Sequence, residues 1–277
     1  MFHNSTAERP FPLLEPKEIQ VYKNDLVVKY RGVRRADTDD SYVNESVRGD
    51  VVKFSDKSLR RLAFVASNTS VDFDVMVTLT YPGEFPTDGK RVKANLNAWL
   101  TWLRGEFDGV SYLWFLEFQK RGAPHFHVLI ANGFKVSGDI KRDVSERWYR
   151  IVGSGDERHL VAGTRVEKVR EKDGARRYAV KYAQKAEQKT VPDEYRSVGR
   201  FWGHSRDVKP EAIGSIGVDS RDGVKAIVGD WEYKDVIDGR NVSVLYNAAE
   251  KLDRYAVGVM VPTYADMVRA ERGEGGK

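Results

Sequence analysis

The order of elements in this chain predicts an α+β fold, an antiparallel β-sheet with helices packed on one face. Three observations carry that prediction. Between residues 75 and 188 the hydrophobic pattern runs strand, helix, strand, strand, helix, strand, helix, which suits a sheet backed by helices. Leu96, Trp99, Leu100, Leu103 and Phe107 recur at helical spacing, so residues 92 to 107 form an amphipathic helix whose large residues are core. Two apolar runs, Ser111 to Phe118 and His125 to Ile130, flank Lys120-Arg-Gly-Ala-Pro124, whose Gly and Pro suit a hairpin loop.

The remaining elements follow the same rules. Residues 19 to 31 read as one strand, and residues 55 to 67 as a helix with Leu59, Leu62, Ala63 and Ala66 on one side. Val75 to Tyr81 is a strand that Pro82-Gly-Glu-Phe-Pro86 ends. Residues 138 to 151 form a helix turning Ile140, Val144 and Trp148 inward, and residues 163 to 169 a strand. Residues 173 to 188, rich in Ala, Lys, Arg and Gln without an interior Pro, form a further helix. Beyond residue 206, glycines and short β-prone runs at 224–228 and 242–246 predict a small β-containing extension. It ends in a helix near 247–255 and a disordered Gly-Glu-Gly-Gly-Lys tail. The glycine-rich stretches 152–155 and 213–217 read as turns, and no internal repeat is visible.

Composition narrows the function classes. At 277 residues and 41% apolar the chain can bury one good core and a small second unit. It lacks an apolar run of membrane-spanning length and a signal-like start, which predicts a cytoplasmic protein with no membrane partner. The absence of cysteine excludes disulfides, thiolate nucleophiles and Cys-based metal sites. There is no Gly-x4-Gly-Lys-Ser/Thr loop, so no ATP use is expected.

The densest chemistry lies in Glu117-Phe-Gln-Lys-Arg121-Gly-Ala-Pro-His125-Phe-His127. Alternation along a strand puts both imidazoles on one face, and folding the hairpin can bring Glu117 beside them. Two imidazoles and a carboxylate leave coordination positions open, as a catalytic metal requires. Such ligands suit Mg or Mn, and imidazoles also accept Zn, Co or Ni. An isolated His-x-His reads first as two hydrogen-bonded histidines on a half-exposed strand; the flanking Glu, the turn and a later Tyr/Lys helix favour the metal. His159 and His204 lack ligand spacing to a second histidine, and His204 suits DNA contact better.

On the helix of residues 173 to 188, Tyr178 and Tyr182 stack one turn apart, with Lys181 and Lys185 each three residues behind a tyrosine. Forming a phenolate at pH 7 costs about 4 kcal/mol unless a cation or metal assists, and a neighbouring ammonium is a suitable partner. Packing of two tyrosines into a core is the competing reading, but little on that helix face is aliphatic. Residues 165 to 189 hold nine cations and four acids, a net +5 equal to that of the whole chain. Arg176 and Arg177 sit in this run, where a phosphate backbone would lie.

At these residues the chain resembles the HUH endonucleases, specifically rolling-circle replication initiators of single-stranded DNA phages and small plasmids. Three motifs carry the resemblance: Val75-Met-Val-Thr-Leu-Thr80-Tyr-Pro, His125-Phe-His127, and Tyr-x-x-Lys, here doubled. Tyrosines four apart are similar to phage-type initiators that alternate two nucleophiles, and Gly199-Arg200-Phe201-Trp202-Gly203 looks like a sequence common in filamentous-phage relatives. The resemblance covers roughly residues 72 to 205. It implies an RRM/ferredoxin-like sheet with His-x-His on a central strand and the tyrosines on a helix. Residues 1–70 are then an N-terminal extension packing on the nuclease core, 71–205 the endonuclease domain and 206–277 a small C-terminal extension.

The resemblance further implies metal-assisted transesterification. An ion held by Glu117, His125 and His127 polarises a phosphate of single-stranded DNA at a replication origin, and a tyrosinate attacks to leave a 5'-phosphotyrosine and a free 3'-hydroxyl. Lys181 and Lys185 offset charge, Arg121, Arg176, Arg177 and Arg200 meet phosphates, and Phe201 and Trp202 stack exposed bases. Host helicase and polymerase are the expected partners. A relaxase or transposase would share this chemistry; an unrelated His-x-His metallohydrolase or a noncatalytic DNA-binding module would not.

Overall fold

A computed structural model describes residues 16–30, 54–169, 191–195, 198–220, 222–224, 232–236 and 242–246. The chain divides into two compact units, one formed by Glu45–Pro210 and the other by Met1–Asn44 together with Glu211–Lys277. This grouping differs from a linear division at residues 70 and 205. The helix of residues 56–68 goes with the central unit, while strands from both ends of the chain share a sheet. Among the described residues no helix is long and apolar enough to cross a membrane.

In chain order the elements are β1 (Pro16–Val21), β2 (Leu26–Tyr30), α1 (Asp56–Asn68), β3 (Val75–Thr80) and α2 (Gly89–Glu106). After them come β4 (Ser111–Phe118), β5 (Pro124–Ala131), α3 (Gly138–Val152), α4 (Glu157–Ala162) and β6 (Thr164–Lys168). The short strands β7 (Trp202–His204), β8 (Gly214–Gly217), β9 (Glu232–Val236) and β10 (Val242–Tyr246) complete the set. The fold is α+β with antiparallel sheets.

The central unit is built on β3-α2-β4-β5-α3-α4-β6, and its sheet order is β6-β3-β5-β4-β7. Setting β7 aside, this is two interleaved split β-α-β units, the ferredoxin-like arrangement. It places β5 between β3 and β4, with both of its edges paired. Local sequence sets the boundaries. Ser55, Asp88, Ser137 and Asp156 cap the four helices, each side chain accepting a backbone N–H of the first turn. α3 ends on Gly153 at φ 66°, a left-handed position that glycine occupies without strain. In the β4–β5 turn Gly122 sits at φ 80° and donates its N–H to the Gln119 carbonyl at 2.8 Å.

Register separates the two sheet faces. Val75, Val77 and Leu79 of β3 stand opposite Ile130, Val128 and Phe126 of β5, which face Tyr112, Trp114 and Leu116 of β4. All are buried, and Lys93 of α2 lies with Nζ 3.8 Å from the Trp114 ring centre, so α2 covers this face. Its buried Val92, Leu96, Trp99 and Leu103 are each worth about 1.5–3 kcal/mol of burial. The other face carries Thr78, Thr80, His125, His127, Phe115 and Glu117. Trp202, opposite Phe115, belongs to it and donates its indole N–H to Ser58 Oγ of α1 at 2.9 Å. α1 is thereby anchored on the face opposite α2, which corrects the expectation of helices on one face only.

The second unit holds the sheet β8-β1-β2-β10-β9, also antiparallel throughout. Residues 19 to 31 are not one strand: Lys23 and Asn24 turn the chain, with the Tyr22 N–H on the Asp25 carbonyl at 2.9 Å. The Gly214–Gly217 segment is a strand beside β1, not a turn, since pairing rather than side-chain propensity holds it extended. Val242–Tyr246 is the strand its β-prone run suggests, whereas Val224 is helical and residues 225–228 and 247–277 lie outside the described residues.

Candidate active site

Two cross-strand rows build the site. In one, Thr80 of β3, His125 of β5 and Glu117 of β4 are direct partners; in the other, Thr78, His127 and Phe115 are. Direct partners in an antiparallel sheet share a face, so the polar groups of both rows project together. The His125 and His127 ring centres are 4.5 Å apart, and His127 Nε2 is 3.2 Å from Glu117 Oε2. His127 is buried and stacks on Phe115 at 5.1 Å, which fixes its ring plane. Thr78 Oγ1 lies 3.2 Å from His127 Nδ1 and Thr80 Oγ1 3.1 Å from His125 Nδ1, so each ring has a hydroxyl on its outer nitrogen.

Burial, the neighbouring His127 and the Arg121 guanidinium lower the His125 pKa to about 4, against an opposing pull from Glu117. The ring is therefore neutral at pH 7, the form that can ligate a metal. Glu117 adds a carboxylate. This donor chemistry fits a divalent cation, and threonines on the outer nitrogens are the kind of support that orients ligating imidazoles. As placed, however, Glu117 is hydrogen-bonded to His127, and among the described residues no three His, Asp or Glu side chains surround a common centre. Loading a cation requires that contact to open.

Thr80 is anchored through its backbone. Its N–H donates to the Gly163 carbonyl at 2.8 Å, and its own carbonyl accepts the Trp148 indole N–H at 2.8 Å and faces His159 Nε2 at 2.9 Å. The other nitrogen of His159 is 2.9 Å from Ser154 Oγ, so this buried histidine is occupied in holding Thr80 and is not a ligand. α3 and α4 thus position β3 against β5. Sequence reasoning missed Thr78, Thr80, Trp148 and His159 as parts of the site. The available signal was the Thr78-Leu-Thr80 spacing, which matches the two-residue period of His125 and His127.

The groups expected to contact DNA divide. Phe201 is only 5% exposed, stacked on Phe54 at 5.2 Å and edge-on to Phe118, so it is core and not a platform for bases. Trp202 is half-buried and stacks on exposed His204 at 5.8 Å. Arg200 has an exposed side chain, and its carbonyl takes the Lys93 ammonium at 2.5 Å. Burial, with Arg200 adding to it, brings the Lys93 pKa down to about 7. Arg121 directs its guanidinium at the carbonyls of Tyr81 and Pro82, both at 2.6 Å, and at Gln119 Oε1 at 2.9 Å. It braces the hairpin tip instead of presenting an open fork to a phosphate. Tyr178, Tyr182, Lys181, Lys185, Arg176 and Arg177 lie outside the described residues.

The sheet and its face define an α+β unit that collects a carboxylate and two imidazoles on its central strands. Residues 74–187 match the model of a replication-associated protein family, that of the ORF2 type, over a span that starts just before β3 and runs past both tyrosines. The match supports a role in initiating replication. No curated protein and no solved structure matches the chain significantly.

Proposed function

We propose that the protein is a rolling-circle replication initiator of the HUH type, which nicks and rejoins single-stranded DNA at an origin through a tyrosine nucleophile. The observation that carries this reading is the convergence of Glu117, His125 and His127 on one face, inside a span that matches a replication-associated family. A Mg or Mn ion bound by these three residues would supply Lewis-acid polarisation of the scissile phosphate. Thr78 and Thr80 hold the imidazoles in place, and Phe115 excludes water from one side of His127.

Tyr178 or Tyr182 attacks phosphorus, losing its phenolic proton; the P–O3' bond breaks, leaving a 5'-phosphotyrosine and a free 3'-hydroxyl. Ester energy is retained, so rejoining needs no ATP. The second tyrosine can accept the strand after a round of synthesis, while Lys181 and Lys185 offset developing charge. Unwinding and synthesis fall to a helicase and a polymerase of the host cytoplasm. Whether the cellular role is replication, plasmid transfer or transposition, the chemistry is shared.

Incubation with Mn and an end-labelled single-stranded oligonucleotide should yield a protein–DNA adduct that survives denaturant. His127→Ala should remove the adduct while leaving the circular dichroism spectrum intact. An adduct formed at full rate by that variant, or in excess chelator, would refute the metal's part in the reaction.

A further inference from the structure

We infer that Gln119, oriented by Arg121, fixes the tautomer of His125 and thereby sets how readily the site takes a divalent cation. This inference rests on the metal reading proposed above, but its first step is independent of it. Gln119 lies just past the end of β4, two residues after Glu117, and reaches His125 Nδ1 with its side-chain amide nitrogen at 3.3 Å. Its amide oxygen faces Arg121 Nε at 2.9 Å. A guanidinium only donates, so the group facing it must be the oxygen, and the NH2 group is then turned to the histidine. An amide NH2 group also only donates. Nδ1 of His125 must therefore be the acceptor, which leaves the ring proton on Nε2.

Thr80 Oγ1, 3.1 Å from the same nitrogen, can donate or accept and follows whichever tautomer Gln119 imposes. Arg121 is itself held by the Tyr81 and Pro82 carbonyls, so the amide cannot reverse without losing an anchored partner. The consequence concerns metal affinity. The only lone pair His125 offers is on Nδ1, where Gln119 and Thr80 already stand; a cation must displace the amide or drive the proton from Nε2 to Nδ1. Gln119 is a positioning residue that holds the site below its full affinity, and the hairpin tip sets that level.

Long-range 1H–15N spectra of the full-length, metal-free, 15N-histidine-labelled protein at pH 7.5 test the first step, with His125 assigned by the signals lost in His125→Gln. We expect an Nε2–H ring in the wild type, an Nδ1–H ring in Gln119→Glu, whose carboxylate can only accept, and a mixture in Gln119→Met, which has no donor and no charge. Mn titration followed by electron paramagnetic resonance tests the second: Gln119→Glu should bind on the order of tenfold tighter, the scale on which the hydrogen-bond partner of a ligating imidazole changes metal affinity. An Nδ1–H ring in the wild type overturns the inference whatever the metal does. The expected tautomers with equal Mn affinity in wild type and Gln119→Glu overturn the link to affinity. The expected tautomers with no Mn binding in any variant uphold the role of Gln119 and overturn the metal reading itself.

Discussion

His125 makes the stability of this protein depend on pH in a way that can be worked out from the site. Its pKa falls from the ordinary 6.5 to about 4, chiefly through burial. At 1.36 kcal/mol per tenfold change in proton affinity, the difference amounts to about 3 kcal/mol. The sign follows from proton counts. Between pH 6.5 and 4 the unfolded chain holds a proton on this residue that the folded chain refuses, so stability rises with pH across that window and is level above it. Going down from pH 7.5, about 1.4 kcal/mol is lost by pH 5.5 and most of the 3 kcal/mol by pH 4. Other groups titrate in the same range, so the measurement is a difference: urea unfolding of wild type and His125→Gln at pH 7.5, 5.5 and 4, with chelator present. The wild type should lose about 3 kcal/mol relative to the variant between the first and last pH. A difference that stays level across the window would show that His125 titrates near its ordinary value and that neither burial nor the neighbouring His127 holds it down.

Further outcomes follow from the rest of the molecule. Phe201→Ala should cost about 3–5 kcal/mol in thermal or urea unfolding, as for a buried aromatic, and Trp202→Ala clearly less; the reverse ranking would put Phe201 outside the core. Tyr178→Phe and Tyr182→Phe should each retain single-turnover adduct formation, with the adduct mapped to the remaining tyrosine, and the double variant should form none. If one single variant is inactive and the other competent through repeated strand transfer, only one tyrosine is a nucleophile. Single-strand binding should weaken with salt at a slope near −0.7 per phosphate contact, and Arg176→Ala with Arg177→Ala should make that slope shallower; an unchanged slope moves the DNA path elsewhere.

How far the sequence could be read depended on whether a feature is local. Periodicity found α1, α2, α3 and the β4–β5 hairpin because each buries one face of a contiguous segment, and the Gly and Pro between the two runs marked the turn. It also put His125 and His127 on one face, since two-residue alternation is a property of the strand alone; that Glu117 joins them depends on the pairing of the hairpin. Register is not local. The Thr78-Leu-Thr80 spacing matches that of the two histidines, but nothing in residues 75–80 sets the pairing of Thr78 with His127 and of Thr80 with His125, which only the strand register decides. Phe201 illustrates the opposite error: an aromatic beside an arginine looks like a stacking platform until Phe54 and Phe118 enclose it. α4 was too short for periodicity to register, and Asn24-Asp25 inside an apolar run was a turn signal passed over.

The split composition of the second unit bears on how the chain is made. Hairpin β1–β2 is synthesised first, yet the strands that flank it, β8 and β10, come about 180 and 210 residues later, a wait of roughly 10–40 s at ordinary elongation rates. The central unit is contiguous and can leave the ribosome and fold within that interval. Until then Ile19, Val21, Leu26 and Val28 belong to a ribbon with both edges open, a ready template for unwanted pairing. Release of a chain stopped near residue 210 would leave those edges permanently uncovered. A soluble version of the central unit should therefore begin after residue 44 as well as end at 210, so that the early ribbon leaves together with its late partners.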